Sequence, residues 1–153
     1  MNLLTVDATR SSVEFAVFST TSGLELVLSG CFDSEHQVPM AVLDGDGRVL
    51  DKVAIPRLAS KSACLCLALQ WLDGRQIRID AIAHQLRDGL DQAGLEYLSA
   101  AYRGVPQVVC EAAPDSPADL VHLAETALAD LAIPVSCPNQ KNIRVRCTTC
   151  TAQ

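Results

Sequence analysis

Two of the seven cysteines, Cys147 and Cys150, are separated by two residues, and Cys137 lies ten positions before the pair. This spacing lets two thiolates face one metal ion or close a small redox-active ring. A structural zinc ion takes four ligands, so His122 or another residue would have to complete the set. Because the pair lies near the end of the sequence, incidental cysteines in a frayed tail are the favoured interpretation.

A second candidate is the run Asp44-Gly45-Asp46-Gly47, which places two carboxylates in a glycine-rich turn. A calcium loop would need further oxygen ligands later in the sequence, and these are missing. Glycine and aspartate tolerate positive φ, and β-prone residues flank the run on both sides. The sequence therefore predicts a β-hairpin here instead of a metal site.

The composition excludes several classes of function. The 153 residues suit one domain, with 49% hydrophobic and 20% charged residues and a net charge of −6. An acidic surface with only 4% aromatic residues argues against nucleic acid and anionic membranes as partners. No secretory signal is seen at Met1, and the longest apolar run, Ala63–Leu69, is too short to span a bilayer. We expect a soluble cytoplasmic protein with reduced thiols.

The elements that must position any site follow from hydrophobic periodicity. The helix-like segments are Ala59–Leu72, Leu90–Tyr102 and a stretch that begins at Ser116 and Pro117. Apolar runs and two-residue alternation predict strands at Leu3–Val6, Val13–Phe18, Leu24–Phe32, Met40–Leu43, Val49–Ile55, Ile77–His84 and Val105–Cys110. This order predicts a mixed-sheet α/β domain in which an antiparallel meander feeds βαβ crossovers.

Four segments, in order, resemble motifs of the acetate and propionate kinases. Asp7–Phe15 is similar to the family's Asn-x-Gly-Ser-Ser-Ser-x-Lys-Phe, and Ile82–Leu90 to Gly-His-Arg-x-Val-His-Gly-Gly. Ala113–Pro117 resembles Pro-Leu-His-Asn-Pro, and Val135–Gln140 stands where the family has Phe-Asp-Thr-Ala-Phe-His. The sequence thus resembles the N-terminal lobe of this family, which belongs to the acetate-kinase/hexokinase/actin superfamily.

The resemblance implies a single ribonuclease-H-like lobe with a mixed five-stranded sheet over residues 1–136, followed by a polar, flexible tail over 137–153. It also implies a set of site residues. The candidates for binding phosphate or nucleotide are Asp7, Arg10, Ser11 and Ser12, with Asp7 also able to hold Mg²⁺ through water, and those on the substrate side are His84, Gln85 and Arg87.

Several departures from the family pattern put catalysis in doubt. Thr9 and Arg10 replace a glycine and a serine, Glu14 replaces a lysine, and Gln85 replaces an arginine. Cys137 stands where the family's catalytic aspartate would be, and the second lobe of the resembled enzymes has no counterpart. Phosphoryl transfer depends on positioning and charge neutralisation, so no residue is predicted to be catalytic.

Structural roles compete with these assignments. Asp7 and the serines can simply satisfy turn N–H groups, and His84 at a strand end is more often a hydrogen-bonded structural histidine. The leading hypothesis is therefore a degenerate, non-catalytic lobe (a pseudoenzyme) that binds, regulates or assembles with a homo-oligomeric or complementary kinase-lobe partner. One alternative is a carboxylate phosphotransferase that is completed by a partner chain or by self-association and uses ATP and Mg²⁺. Another is a thiol or metal module built on Cys137, Cys147 and Cys150.

Overall fold

The computed structural model describes residues 1–8, 12–33, 39–56, 60–85, 96, 98, 100–105, 107–110, 122 and 143–145. Eight strands and one helix have defined bounds in these ranges. They are β1 (Asn2–Ala8), β2 (Ser12–Ser19), β3 (Glu25–Asp33), β4 (Met40–Asp44), β5 (Val49–Val53), α1 (Lys61–Gly74), β6 (Ala81–Gln85), β7 (Gln107–Cys110) and β8 (Ile143–Val145).

All eight strands form one mixed sheet in the order β5-β4-β3-β2-β1-β6-β7-β8. Strands β1 to β5 pair antiparallel with their sequence neighbours, as the alternating sequence of the meander predicts. Strands β6, β7 and β8 extend the sheet from β1 with parallel pairing. The mixed α/β fold class predicted from the sequence is therefore confirmed.

One face of the sheet carries the main hydrophobic core. Its residues alternate along the strands, as Leu4 and Val6 do on β1, and they pack with apolar side chains of α1 such as Leu65 and Leu72. We call this the helix face, and the opposite side of the sheet the open face. Leu98, one of the helical residues after β6, is fully buried in the same core.

Helix α1 begins with a side-chain cap and is joined to the sheet edge by a polar cluster. The Ser60 hydroxyl accepts a hydrogen bond of 3.1 Å from the Ala63 N–H. The Trp71 indole N–H donates to the Asp51 carboxylate of β5 at 2.9 Å, and the Arg75 guanidinium lies 3.4 Å from the same carboxylate. The guanidinium also stacks 4.9 Å from the centre of the Trp71 ring. These contacts fix the helix against β5.

The predicted hairpin between β4 and β5 is present, and no metal ligand set forms there among the described residues. The Asp44 carboxylate accepts hydrogen bonds of 2.9 Å from the N–H groups of Asp46 and Arg48. Gly47 adopts a φ of 81°, which favours glycine, and a Cβ on Gly45 would clash with the Leu26 carbonyl oxygen. Turn chemistry thus accounts for Asp44 and Gly47, and close packing against β3 accounts for Gly45.

The sheet differs from the sequence prediction in size. Its described part has eight strands where the family resemblance implied five. The hydrophobic periodicity predicted seven of them, including both strands of the β4–β5 hairpin, and β8 is the addition at the other edge. Residues Ile143–Val145 of β8 lie inside the segment predicted to be a flexible tail, yet they pair with β7. The helix predicted from Ser116 onward, and much of the Leu90–Tyr102 helix, lie outside the described residues.

Helices in the described part of the chain are all too short or too polar to cross a membrane.

Candidate functional site

The candidate site lies at the carboxyl ends of β1 and β6. These two strands are parallel neighbours, but β1 continues into β2 on one side while β6 is followed by β7 on the other. In open α/β sheets the crevice at such a reversal point is where ligands bind. Asp7 and Ala8 end β1 at this point, and His84 and Gln85 end β6.

Asp7 lies on the open face, directly opposite Glu14 of β2. Its carboxylate forms no hydrogen bond or ion pair with any other residue in the described ranges, and partial burial raises its pKa above the ordinary value. Directly opposite side chains have Cβ atoms about 4.5–5.5 Å apart, so register places the two acidic residues side by side on the open face.

His84 does not share the open face with Asp7. It pairs with Val6 and alternates with the core residue Ile82, which places it on the helix face with only 2% of its surface exposed. The structure therefore brings the two predicted residues to the same end of the sheet but on opposite sides. The assignment of His84 to the substrate side stays a prediction.

The other predicted residues fall into two groups. Ser12 begins β2 on the same face as Glu14, and Gln85 ends β6, where its backbone pairs with Cys110. The residues that lie outside the described ranges are Arg10, Ser11, Arg87, Cys137, Cys147 and Cys150. No group of three or more His, Cys, Asp or Glu residues within the described ranges could hold a metal ion.

A cavity of about 510 Å³ lies on the open face, over strands β1 to β4. Two cross-strand rows of side chains form its floor. The first row runs Asp7, Glu14, Cys31 and Ala41 across the four strands, and the second runs Thr5, Ala16, Ser29 and Leu43. Asp33 and Pro39 also line it, and we call the whole the sheet cavity.

Sequence reasoning missed the contribution of β3 to this cavity. The Cys31 thiol lies 3.8 Å from a Glu14 carboxylate oxygen, and its pKa is raised first by burial and then by the negative charges of Glu14 and Asp33. The alternation of β3 places Cys31 and Asp33 on one face, but only the register between strands places them beside Glu14. A local pattern does not contain that register.

Solved structures similar to this chain include kinases that act on short carboxylic acids. An acetate kinase from Porphyromonas gingivalis is 16% identical with a TM-score of 0.43, covering 56% of this chain and 23% of its own. A propionate kinase from Francisella tularensis subsp. tularensis SCHU S4 is 15% identical with a TM-score of 0.45, covering 65% of this chain and 28% of its own. An acetate kinase from Entamoeba histolytica is 17% identical with a TM-score of 0.47, and the match covers 95% of this chain and 36% of the kinase.

All three solved structures are acetate or propionate kinases, the family whose motifs the sequence resembles. The chain spans between 23% and 36% of their length. No protein-family model matches the sequence, and no curated protein matches it.

Proposed function

We propose that this chain is a non-catalytic binding lobe, similar in its motifs to the N-terminal lobe of the acetate and propionate kinases. The observation that carries the proposal is the pairing of Asp7 with Glu14 at the carboxyl end of β1. The motif of the resembled kinases has a lysine at the position of Glu14. A cation that could neutralise a phosphate group is thus replaced by a second carboxylate.

Electrostatics then opposes the reaction that the resemblance suggests. Phosphoryl transfer relies on fixed positive charge to stabilise the transferring group. The sheet cavity instead carries three carboxylates, those of Asp7, Glu14 and Asp33, and none of its described lining residues is a cation. A phosphate placed there would meet like charge in a partly desolvated setting, where repulsion is stronger than in water.

The enzyme alternative makes different demands on the same residues. Mg²⁺ prefers carboxylate oxygens and water, so Asp7 and Glu14 are suitable donors for this ion. The phosphates of ATP do not fit the described residues, because the cavity offers them no positive side chain. A carboxylate phosphotransferase would therefore need a partner chain, or a second copy, to supply the missing cations.

A direct assay separates the two functions. Purified chain is incubated with Mg·ATP and either acetate or propionate, and acyl phosphate is trapped with hydroxylamine. We expect no product above that of a Ser11→Ala/Ser12→Ala double variant, because neither protein neutralises the transferring phosphate. Steady turnover by the unmodified chain, well above this control, would overturn the proposal.

A further inference from the structure

The sheet cavity has the size and lining of a site for a small organic molecule. Ligand pockets commonly enclose about 300–1,000 Å³ and combine apolar walls with a few polar groups. The 510 Å³ of this cavity falls in that range. Its floor is rigid, because both rows of side chains come from the paired strands β1 to β4.

Charge is concentrated at one end of the cavity. Asp7 and Glu14 lie directly opposite each other, and Asp33 follows Cys31 on the same face of β3. Like charges at directly opposite positions destabilise a sheet. The Glu14 carboxylate is contacted by the Cys31 thiol, and none of the described residues that line the cavity is positively charged. A positive group bound at this end would be attracted by these carboxylates.

The other end of the cavity is suited to a hydrocarbon. Ala16, Ala41 and Leu43 form most of its floor, with the single polar side chain of Ser29 between Ala16 and Leu43. The row continues past the cavity to Val49, which lies opposite Leu43 and is 56% exposed. An apolar ligand body lying along this row would remove both surfaces from water, which is favourable in proportion to the area covered.

We propose that the sheet cavity binds a small organic cation, an ammonium group attached to a short apolar chain. The ammonium lies between Asp7 and Glu14, and the chain lies over Ala16, Ala41 and Leu43. This inference rests on the proposed function, because both require the end of β1 to reject anions. It goes further by reversing the charge of the ligand: a carboxylic acid is replaced by an amine.

Three probes of equal length and different charge test the inference. The ¹⁵N-labelled chain is titrated with hexylamine, hexanol and hexanoate at pH 7, and backbone amide shifts are followed by NMR. We expect hexylamine to move the amide signals of Cys31, Ala41 and Leu43 with saturation, hexanol to bind about tenfold more weakly, and hexanoate to leave them unchanged. Equal binding of the three probes, binding of hexanoate alone, or no saturable shift with hexylamine would overturn the inference.

A matched pair of variants tests whether the ammonium group of the ligand binds beside Glu14. Glu14→Gln removes a carboxylate from the cavity, and Glu25→Gln makes the same change at an exposed position of β3 outside it. We expect the hexylamine affinity to fall about tenfold in Glu14→Gln and to stay within about twofold in Glu25→Gln. Equal effects of the two changes would overturn the inference, and a dispersed spectrum of each free variant verifies that it is folded.

The result of the amine-binding test can be distinguished from the result of the acyl phosphate assay. Loss of the amine site with no acyl phosphate formed would remove this inference and leave the non-catalytic lobe in place. Formation of acyl phosphate by the unmodified chain would remove the proposed function itself.

Discussion

At the scale of single residues, the most informative group is the Asp7 carboxylate. Burial raises its pKa, so the folded state holds its proton more tightly than the unfolded state does. Ionisation of Asp7 therefore costs stability. The cost is absent below the ordinary aspartate pKa of about 3.9 and complete above the raised native value.

Asp7→Asn should accordingly stabilise the fold at pH 7 and have almost no effect near pH 2.5, well below the ordinary aspartate pKa. Since the side chain is only half-buried, we expect a gain of no more than about 1 kcal/mol at pH 7. Urea unfolding at the two pH values measures it. Asp46→Asn, the same change in the exposed hairpin turn, serves as the control and should change stability by less than about 0.5 kcal/mol at both. A destabilising Asp7→Asn at pH 7 would contradict the burial cost.

Cysteine reactivity gives a second test at this scale. Burial in α1 raises the pKa of the Cys64 thiol to about 11, and the thiolate is the reactive form. We expect native Cys64 to react with iodoacetamide at pH 8 at least about a hundredfold more slowly than in urea-unfolded chain, where an ordinary pKa of about 8.5 applies. Peptide mass spectrometry with time measures both rates. Similar rates in the two states would show that Cys64 is not buried.

At the scale of elements, the β4–β5 hairpin is fixed by close backbone packing. A Cβ on Gly45 would clash with the carbonyl oxygen of Leu26, and a backbone carbonyl cannot move aside as a flexible side chain does. Gly45→Ala should therefore destabilise the chain by about 1–3 kcal/mol, the usual cost of overpacking.

Gly74→Ala is the matched control for this prediction. Gly74 ends α1, and a Cβ there would meet no atom within 4 Å. The change should be neutral or stabilising by up to about 1 kcal/mol, because alanine restricts the unfolded chain. Thermal unfolding of both variants measures the difference. A Gly45→Ala protein as stable as Gly74→Ala would mean that the hairpin does not pack against β3 as described.

Strands β1 to β7 and helix α1 were predictable from the sequence, as was Asp7 as a candidate, while β8 and the cross-strand neighbours of Asp7 were not. The alternation of Val13–Phe18 and the Asp-Gly turn are local signals, and both elements form where predicted. The positions of Asp7 relative to Glu14 and of Cys31 relative to Glu14 depend on strand register, which long-range packing determines. Register likewise places His84 on the helix face, away from Asp7, although the sequence puts both at strand ends.

At the scale of the whole molecule, the sheet extends further than one lobe of five strands. β8 pairs with β7 and covers its edge, so the segment 137–153 contributes to the fold through Ile143–Val145. Removing residues 137–153 should lower the melting temperature by several degrees, as expected for a loss of about 1 kcal/mol in a domain of this size. Differential scanning calorimetry of full and truncated chains measures this.

The same truncated chain also tests the cysteine alternative. Elemental analysis of the full-length protein should find no stoichiometric zinc or iron if Cys137, Cys147 and Cys150 are incidental. Metal bound at one ion per chain, and lost with residues 137–153, would support the metal module instead. An unchanged melting temperature on truncation would contradict the role given to β8.

The expected self-association of the lobe stays a prediction. Its open face carries exposed apolar side chains at the β3 and β5 edge, including Leu26 at 39% and Val49 at 56% exposure. Sedimentation velocity over a hundredfold concentration range tests it. A dimer that dissociates when Val49→Lys is introduced supports association through this face, and a monomer at all concentrations rules it out.

The central claim is that opposed carboxylates at the end of β1 prevent this chain from holding a nucleotide phosphate. Calorimetric titration with Mg·ATP tests it most directly, using the unmodified chain, Glu14→Lys and the charge-matched control Glu25→Lys. We predict no saturable heat for the unmodified chain or for Glu25→Lys, and measurable binding when Glu14→Lys restores a cation beside Asp7. A one-to-one complex of the unmodified chain with Mg·ATP at micromolar affinity would contradict the account.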